Sequence, residues 1–294
     1  STELDSGLKL RSVTGKNDFY DRVLQDTDFQ PLDMLHIGRD NHFSTLSQQF
    51  TVEGTLGRSQ WVTGLYLDRD RHDLGGEQKA PAYLLRYGSK LEGDTAALFS
   101  HWMIPLDEHW TLTLGARAEK DKVRFTPDGN SARENSWKRF SPKIALQYQW
   151  MDGSYVYASV ADGFRAGSYN TLTATGSYPG YAPEKVRSWE VGVKGAALDR
   201  RLLYSAARYT MSIDDMQVQQ MLTPGVVYIA NAASARSSGL ELESDYFLGA
   251  GWKLPAALSY NRSRFGRFTD GISAYSHNHN PFAPELPVHL GLRY

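Results

Sequence analysis

The chain has 294 residues, a formal net charge of -1 at pH 7 and 41% hydrophobic residues, which is enough for one large all-β domain or two ordinary ones. No stretch approaches the ~18 apolar residues of a spanning helix, so an α-helical membrane protein is excluded. The near-neutral charge and the absence of a basic cluster argue against a nucleic-acid partner. Because cysteine is absent, disulfide scaffolds and zinc–cysteine sites are excluded as well.

Apolar and polar residues alternate along much of the chain, and a period of two is typical of β-strands with one apolar and one polar face. In chain order the pattern predicts about twelve strands, over residues 8–13, 46–53, 61–68, 96–104, 110–119, 139–150, 154–170, 188–194, 202–213, 240–246, 252–265 and 288–294. The sequence therefore predicts an all-β fold.

The alternation is clearest in residues 154–170, SYVYASVADGFRAGSYN. One face carries Val156, Ala158, Val160 and Phe164, and the opposite face carries Tyr155, Tyr157, Ser159 and Arg165. Such a strand needs one apolar and one wet surrounding. The apolar surrounding is either a protein core or a lipid bilayer.

The connections between the predicted strands alternate between tight and long. Tight turns fall at residues 55–59, 106–109, 151–154, 197–201 and 248–251, and long polar segments fall at 20–43, 69–92, 125–138, 168–184 and 269–285. Short turns on one side and long loops on the other indicate a transmembrane β-barrel, which is apolar toward lipid and polar toward its lumen. The alternative is a soluble sandwich or propeller, whose loops need not alternate in length. A sheet in lipid must also close, because every backbone group has to be paired.

Several segments resemble the barrel of the TonB-dependent outer-membrane receptors. In that family a strand runs into a Gly–aromatic–basic–x–Gly element and then an aromatic–Asn pair, and the matching residues here are Gly163, Phe164, Arg165, Gly167, Tyr169 and Asn170. Residues 183–195 (PEKVRSWEVGVKG) and 231–243 (NAASARSSGLELE) are similar to later strands of the family. Residues 8–15, 59–70 and 280–294 fit further barrel strands, and the likeness is greatest to the iron–siderophore receptors.

The resemblance implies an antiparallel transmembrane β-barrel of which this chain is a part. Barrels of this plugged class have about 22 strands, so residues 1–294 would form a barrel segment, with the plug domain, its energy-coupling box and the remaining strands outside this chain. The implied function is import of a ferric siderophore across the outer membrane of Gram-negative bacteria. The implied partners are the siderophore, membrane lipid and the TonB complex, which would act through the missing N-terminal part. No cofactor and no catalysis are implied.

Arg165 and three tyrosines are the candidate ligand contacts. Arg165 falls on the polar face at the end of its strand, before the loop that contains Tyr178 and Tyr181, and Tyr169 lies between them. Ferric siderophores are commonly anionic and aromatic, so arginine and tyrosine side chains at an extracellular mouth would suit them. The alternative for Arg165 is an ion pair with an acidic residue of a neighbouring strand, and the alternative for the tyrosines is ordinary loop packing.

Other clusters give weaker indications of a site. His277 and His279 could ligate metal, but two histidines in a polar loop are more often solvated. Asp214 and Asp215 lack the spacing of a calcium loop, and no nucleophile, zinc or phosphate-loop motif is present. We therefore predict a protein that is not an enzyme and has no resident metal. A passive channel, a barrel enzyme, and a receptor for haem, cobalamin or a glycan stay as alternatives.

Overall fold

The computed structural model describes residues 2–4, 7–27, 34–171, 179–223, 226–269, 273–281 and 283–294, and the secondary structure in these ranges is β-strand. The fifteen strands are β1 (Thr2–Glu3), β2 (Lys9–Asp26), β3 (His36–Leu56), β4 (Ser59–Ala80), β5 (Tyr83–Pro105), β6 (Trp110–Pro127), β7 (Arg133–Met151), β8 (Ser154–Arg165), β9 (Ser168–Tyr169), β10 (Gly180–Tyr181), β11 (Glu184–Ala197), β12 (Leu202–Thr223), β13 (Val226–Gly249), β14 (Trp252–Phe268) and β15 (Val288–Leu290). No helix in the described ranges is long and apolar enough to cross a membrane.

Thirteen strands form one antiparallel up-and-down sheet. Their order is β1-β2-β3-β4-β5-β6-β7-β8-β11-β12-β13-β14-β15, so every strand pairs with its neighbours in the chain except where β9 and β10 form a separate hairpin. The predicted antiparallel sheet of about twelve strands is thus confirmed. Within the described residues β1 and β15 do not pair with each other, and the sheet is an open part of a barrel.

The predicted tight turns are confirmed, and all of them lie at the same end of the sheet. Only Gly57 and Arg58 connect β3 to β4, and only Asp152 and Gly153 connect β7 to β8. Gly57 and Gly153 have φ angles of 59° and 71°, a left-handed conformation that glycine adopts without steric cost.

The predicted long loops are the main correction to the sequence analysis. Residues 69–92 are almost entirely strand, because β4 continues to Ala80 and β5 begins at Tyr83. Residues 20–43 and 125–138 are likewise largely strand. The polar composition that indicated a loop is satisfied across the strands by ion pairs, among them Arg69 with Asp94 at 2.7 Å.

The face that carries Val156, Ala158 and Val160, here called the outward face, is apolar over the half of the sheet next to the tight turns. In register these residues lie opposite Val193, Val191 and Trp189, so the alternation predicted for β8 extends into its neighbour. On β6 the outward residues stay apolar from Trp110 to Ala118, close to the 9–11 residues that a tilted membrane strand needs. On β4 to β8 and on β11 the first charged outward residues beyond this apolar belt are Arg69, Asp94, Lys120, Lys138, Asp162 and Arg187. On β12 the outward residue Arg208 already lies opposite Val191.

Aromatic residues mark the belt's edge near the tight turns. The Trp61 and Trp102 rings stack with centroids 5.7 Å apart, and Trp110 packs on Tyr148 at 4.8 Å. Such aromatic girdles are typical of the level at which a barrel meets the lipid headgroups.

The opposite, inward face is polar and internally hydrogen-bonded. Tyr157 donates to Glu190 at 2.6 Å, and Lys253 pairs with Asp245 at 2.7 Å. Glu190 and Asp245 therefore have partners on neighbouring strands, as expected for a wall that faces water or protein rather than lipid.

Candidate functional site

The chain leaves the sheet after Arg165 and forms a small hairpin before it re-enters at Glu184. We call residues 166–171 and 179–182 the rim hairpin; in it Ser168 and Tyr169 of β9 pair with Tyr181 and Gly180 of β10. Gly167 is required at the first bend, because a Cβ there would lie 2.4 Å from the carbonyl oxygen of Tyr181. Residues 172–178, and with them Tyr178, lie outside the described residues.

Two asparagines fasten the rim hairpin to distant backbone. The Asn170 side-chain amide donates to the Ile229 carbonyl at 2.9 Å, and its oxygen accepts the Ile229 N–H at 2.6 Å. Asn231 makes the same pair of bonds to Ala182, accepting its N–H at 2.6 Å and donating to its carbonyl at 2.8 Å. Each amide thus replaces the pairing that a neighbouring strand would provide.

Gln217 closes the base of the hairpin. Its side-chain nitrogen donates to the carbonyl of Ala166 at 2.9 Å and to that of Ala182 at 3.1 Å. Its backbone N–H donates to the Glu184 carboxylate at 2.7 Å. Both ends of the hairpin are therefore held by one residue of β12.

An aromatic cluster holds the hairpin against the inward face. Tyr169 stacks on Phe125 of β6 at 5.2 Å, and the Arg133 guanidinium lies 5.7–5.8 Å from both ring centroids. Phe125 is fully buried and Tyr169 is only 7% exposed. Burial raises the pKa of the Tyr169 phenol, so the ring stays neutral. Ser89 adds a hydrogen bond to the carbonyl of Thr171 at 2.8 Å.

Carboxyl groups line the inward wall on the tight-turn side of this cluster. Asp121 lies four residues from Phe125 on the same face of β6 and accepts a hydrogen bond from Thr95 at 3.0 Å. Burial raises the pKa of Asp121, and burial together with the nearby Asp68 carboxylate raises the pKa of Asp70. These groups therefore take up a proton at a higher pH than free carboxylates do.

The structure places Tyr169 and Tyr181 on the rim hairpin and Arg165 directly before it, in different environments. Arg165 is exposed at the end of β8 and lies opposite Glu184 in register, and within the described ranges its guanidinium has no ion-pair partner. Tyr181 is partly exposed, whereas Tyr169 is buried in the aromatic cluster. Contact of any of them with a ligand stays a prediction.

Sequence reasoning missed the residues that position the hairpin. Asn170 and Asn231 belong to the segments that carried the family resemblance, but their contacts lie 59 and 49 residues away in the chain. Arg133 and Gln217 gave no signal either. An amide side chain at the end of an otherwise alternating strand was the one local hint.

The other clusters have ordinary partners. His279 lies 2.8 Å from the Arg264 guanidinium and 2.9 Å from the Glu285 carboxylate, and Asp215 pairs with Lys185 at 3.2 Å. Among the residues that the structure describes, no group of three His, Cys, Asp or Glu side chains could hold a metal ion.

The comparisons with known proteins agree with this architecture. The family model described as TonB dependent receptor-like, beta-barrel matches residues 2–294. The pesticin receptor of Yersinia enterocolitica is 26% identical over 244 residues, which are 78% of this chain and 35% of that protein. The ferripyoverdine receptor of Pseudomonas aeruginosa is 24% identical over 227 residues, which are 75% of this chain and 24% of the receptor.

A solved structure shows the same fold. The crystal structure of the ferric yersiniabactin uptake receptor of Yersinia pestis superposes with a TM-score of 0.79 at 20% identity, covering 97% of this chain and 44% of that one. The chain thus spans about a quarter to a third of the length of its curated relatives and under half of this receptor. It belongs to the TonB-dependent receptors, which are outer-membrane β-barrel proteins of Gram-negative bacteria, and forms part of the barrel.

Proposed function

We propose that the chain is the barrel segment of a TonB-energised outer-membrane receptor that imports an iron–siderophore complex. Pesticin, ferripyoverdine and ferric yersiniabactin receptors are among its relatives and structural neighbours, and this supports an iron chelate as cargo. The observation that carries the proposal is the rim hairpin, a rigidly fastened element at the end of the barrel remote from the tight turns. The hairpin presents the phenol of Tyr181, and the exposed cation of Arg165 lies directly before it at the end of β8.

The chemistry of the hairpin suits an anionic, aromatic chelate. A guanidinium without an ion-pair partner can donate charge-assisted hydrogen bonds to a carboxylate or catecholate oxygen. Tyr181 and Tyr178 would add stacking and hydrogen-bond contacts, and Tyr169 would add to them only if the hairpin moved off Phe125. The chain supplies binding and a wall for passage and no catalytic group, in keeping with a family of transport receptors.

The relatives are longer than this chain, and this indicates which parts of the receptor lie outside it. We propose that residues 1–294 form the barrel segment throughout, and that a plug domain and the remaining strands belong to the rest of the receptor. TonB would act on that N-terminal part rather than on the segment described above. In this proposal residues 1–294 capture the cargo and form part of the lipid-facing wall.

A transport assay on the full-length receptor separates the proposed function from its alternatives. Binding of radiolabelled ferric siderophores to outer membranes should not need the TonB complex, whereas uptake should require it. Uptake that persists without the complex would identify a passive channel. If haem, cobalamin or a glycan binds and every ferric siderophore fails to bind, the cargo part of the proposal is wrong.

Arg165→Gln tests the site itself. One charge-assisted hydrogen bond contributes about 1.5–3 kcal/mol, so affinity for an anionic chelate should fall roughly 10- to 100-fold. Arg124→Gln is the matched control, because Arg124 is an exposed arginine beyond the belt on the outward face of β6. Equal losses in the two variants would mean that general surface charge, rather than the rim site, attracts the ligand.

A further inference from the structure

Three uncharged polar side chains interrupt the apolar belt on β2 and β3. Thr14 lies opposite Gln48, and Ser12 lies opposite Phe50. The pairing that runs strand by strand from Val156 on β8 to β2 places these four residues on the outward face. Ser12, Thr14 and Gln48 are called the polar cluster below.

The polar cluster lies within the belt and not at its edge. Along β3 the outward neighbours of Gln48 are Leu46 and Phe50, which are 55% and 49% exposed in the isolated sheet. On β4 the residue directly opposite Gln48 is Leu67. Polar side chains surrounded by lipid are unfavourable unless their hydrogen bonds are satisfied, and in membrane proteins they commonly mark a contact between segments.

Hydrogen bonds within the polar cluster use much of its capacity but not all of it. The Gln48 amide donates to the Ser12 hydroxyl at 2.9 Å and to the carbonyl of Gln49 at 3.3 Å, and it accepts from the Thr14 hydroxyl at 2.5 Å. A hydroxyl can donate once and accept twice. Among the residues that the structure describes, the Ser12 proton has no acceptor and the Thr14 oxygen has no donor. A donor and an acceptor are therefore left facing hydrocarbon.

We propose that the polar cluster binds a second copy of the receptor, so that two barrels form a dimer in the plane of the membrane. Two identical chains related by a two-fold axis present the same groups at the same depth, and the Ser12 hydroxyl of each copy can donate to the Thr14 oxygen of the other. Lipid tails offer neither a donor nor an acceptor. Barrel strands tilt by about 35–45°, so the facing strands of the two copies cross and their contact centres on a compact patch of this kind.

Charge favours this side of the sheet for contact between copies. The polar cluster is uncharged, so two copies meet there without repulsion. Just beyond it β2 carries a cation and an anion on the same face, Lys16 and Asp18, which can pair between copies; Asp18 also lies 3.2 Å from His42. On β12, by contrast, Arg208 would meet the same arginine of a second copy. The inference is independent of the cargo, because the polar cluster and the rim hairpin lie on opposite faces of the sheet.

The experiment measures association of the full-length receptor in lipid vesicles. Copies labelled with donor and acceptor fluorophores would be reconstituted at increasing protein-to-lipid ratios, and energy transfer would give the association constant. Ser12→Ala, Thr14→Val and Gln48→Leu together replace the polar cluster by apolar side chains that suit lipid. A hydrogen bond between membrane segments contributes roughly three- to thirty-fold, so loss of the two symmetric bonds should lower the association constant about 10-fold or more.

A second triple variant controls for outward polarity in general. Thr210→Val, Ser238→Ala and Ser244→Ala remove three uncharged polar groups from the outward face of β12 and β13. This variant should associate as the unmodified receptor does, and a β circular-dichroism spectrum shows that each triple variant is folded. An unmodified receptor that stays monomeric at every ratio, unchanged association in the first triple variant, or equal losses in both would overturn the proposal.

Cross-linking in native outer membranes identifies the partner. Residues 1–294 contain no cysteine, so Ser12→Cys introduces a thiol at the proposed axis, and Ala158→Cys introduces one on the outward face of β8. Oxidation should join two receptor copies through position 12 and not through position 158. A product that joins position 12 to a different protein, or equal dimer yields from the two variants, would show that a second copy is not the partner.

Discussion

Ile144→Arg tests whether the outward face of this sheet contacts lipid. Ile144 lies at the middle of the apolar stretch of β7, between Leu114 on β6 and Val160 on β8, and it is 48% exposed in the isolated sheet. Val191 is a less suitable site, because Arg208 lies directly opposite and a second arginine would add like-charge repulsion.

The expected cost follows from moving a guanidinium from water into hydrocarbon. An arginine at the midplane on the lipid face of an outer-membrane barrel costs about 2–4 kcal/mol. At 1.4 kcal/mol for each factor of ten, this is a loss of about 30- to 700-fold in the folding equilibrium. The outward neighbours of Ile144 are apolar, so no nearby carboxylate on these strands reduces the cost.

The matched control introduces the same side chain three positions along the same strand. Gln147 lies on the inward face, opposite Thr111 and Tyr157, where a long polar side chain is already accommodated. Gln147→Arg should therefore change stability by less than about 1 kcal/mol. Both variants of the full-length receptor would be folded into vesicles and unfolded with denaturant. Their free energies of unfolding would be compared with one shared value for the dependence on denaturant concentration.

Equal costs for the two variants would refute the assignment of faces. A small cost at Ile144 with a large one at Gln147 would mean that the sheet is inverted, with its apolar side against a protein core. Only a large cost confined to Ile144 agrees with a membrane wall.

Two further predictions concern the extracellular end. Asn170→Ala leaves the partly buried N–H and carbonyl of Ile229 unpaired, at about 1–3 kcal/mol, so amide exchange in the rim hairpin should accelerate. Asn130→Ala in an exposed turn should leave that exchange unchanged. Two hydrogen bonds from Arg187 lower the pKa of Asp162 below 3.8. Its stabilisation, under about 1 kcal/mol at this surface site, is present above about pH 4 and lost as pH falls through the lowered pKa. Asp162→Asn should therefore destabilise the receptor at pH 7 but not at pH 2, and an equal effect at both values would exclude the ion pair as its cause.

The membrane-spanning half of the sheet could be predicted from the sequence because lipid acts on each strand separately. A residue such as Val156 must be apolar whatever its neighbours are, so each strand shows the alternation in its own sequence. The tight turns are local too, since Asp152–Gly153 specifies its own conformation. These features needed no knowledge of partner strands.

The extracellular half could not be predicted in this way, because it is stabilised by contacts between strands. Residues 69–73 look like a solvated loop until Asp94, Glu92 and Lys90 are placed beside them. The pairing register that brings these charges together depends on the turn at Pro81–Ala82 and on both strands at once. A single sequence shows the charged residues but not which of them pair across strands. It therefore indicates that the segment is polar and not that it forms a strand.

The candidate site also depends on contacts between strands that the sequence does not show, and the contact that matters lies at the end of β13. This strand pairs with β14 only from Ala233 toward the tight turns, so the peptide groups of Ile229 extend past the end of that pairing. Unpaired strand edges are costly, and Asn170 supplies a neutral donor and acceptor in the spacing of a peptide group. Aspartate in its place could accept but not donate, and leucine could do neither. The asparagine that ends the predicted strand at residue 170 is therefore required by the otherwise unpaired peptide groups of Ile229, 59 residues away. The same bonds fix the hairpin that carries Tyr181.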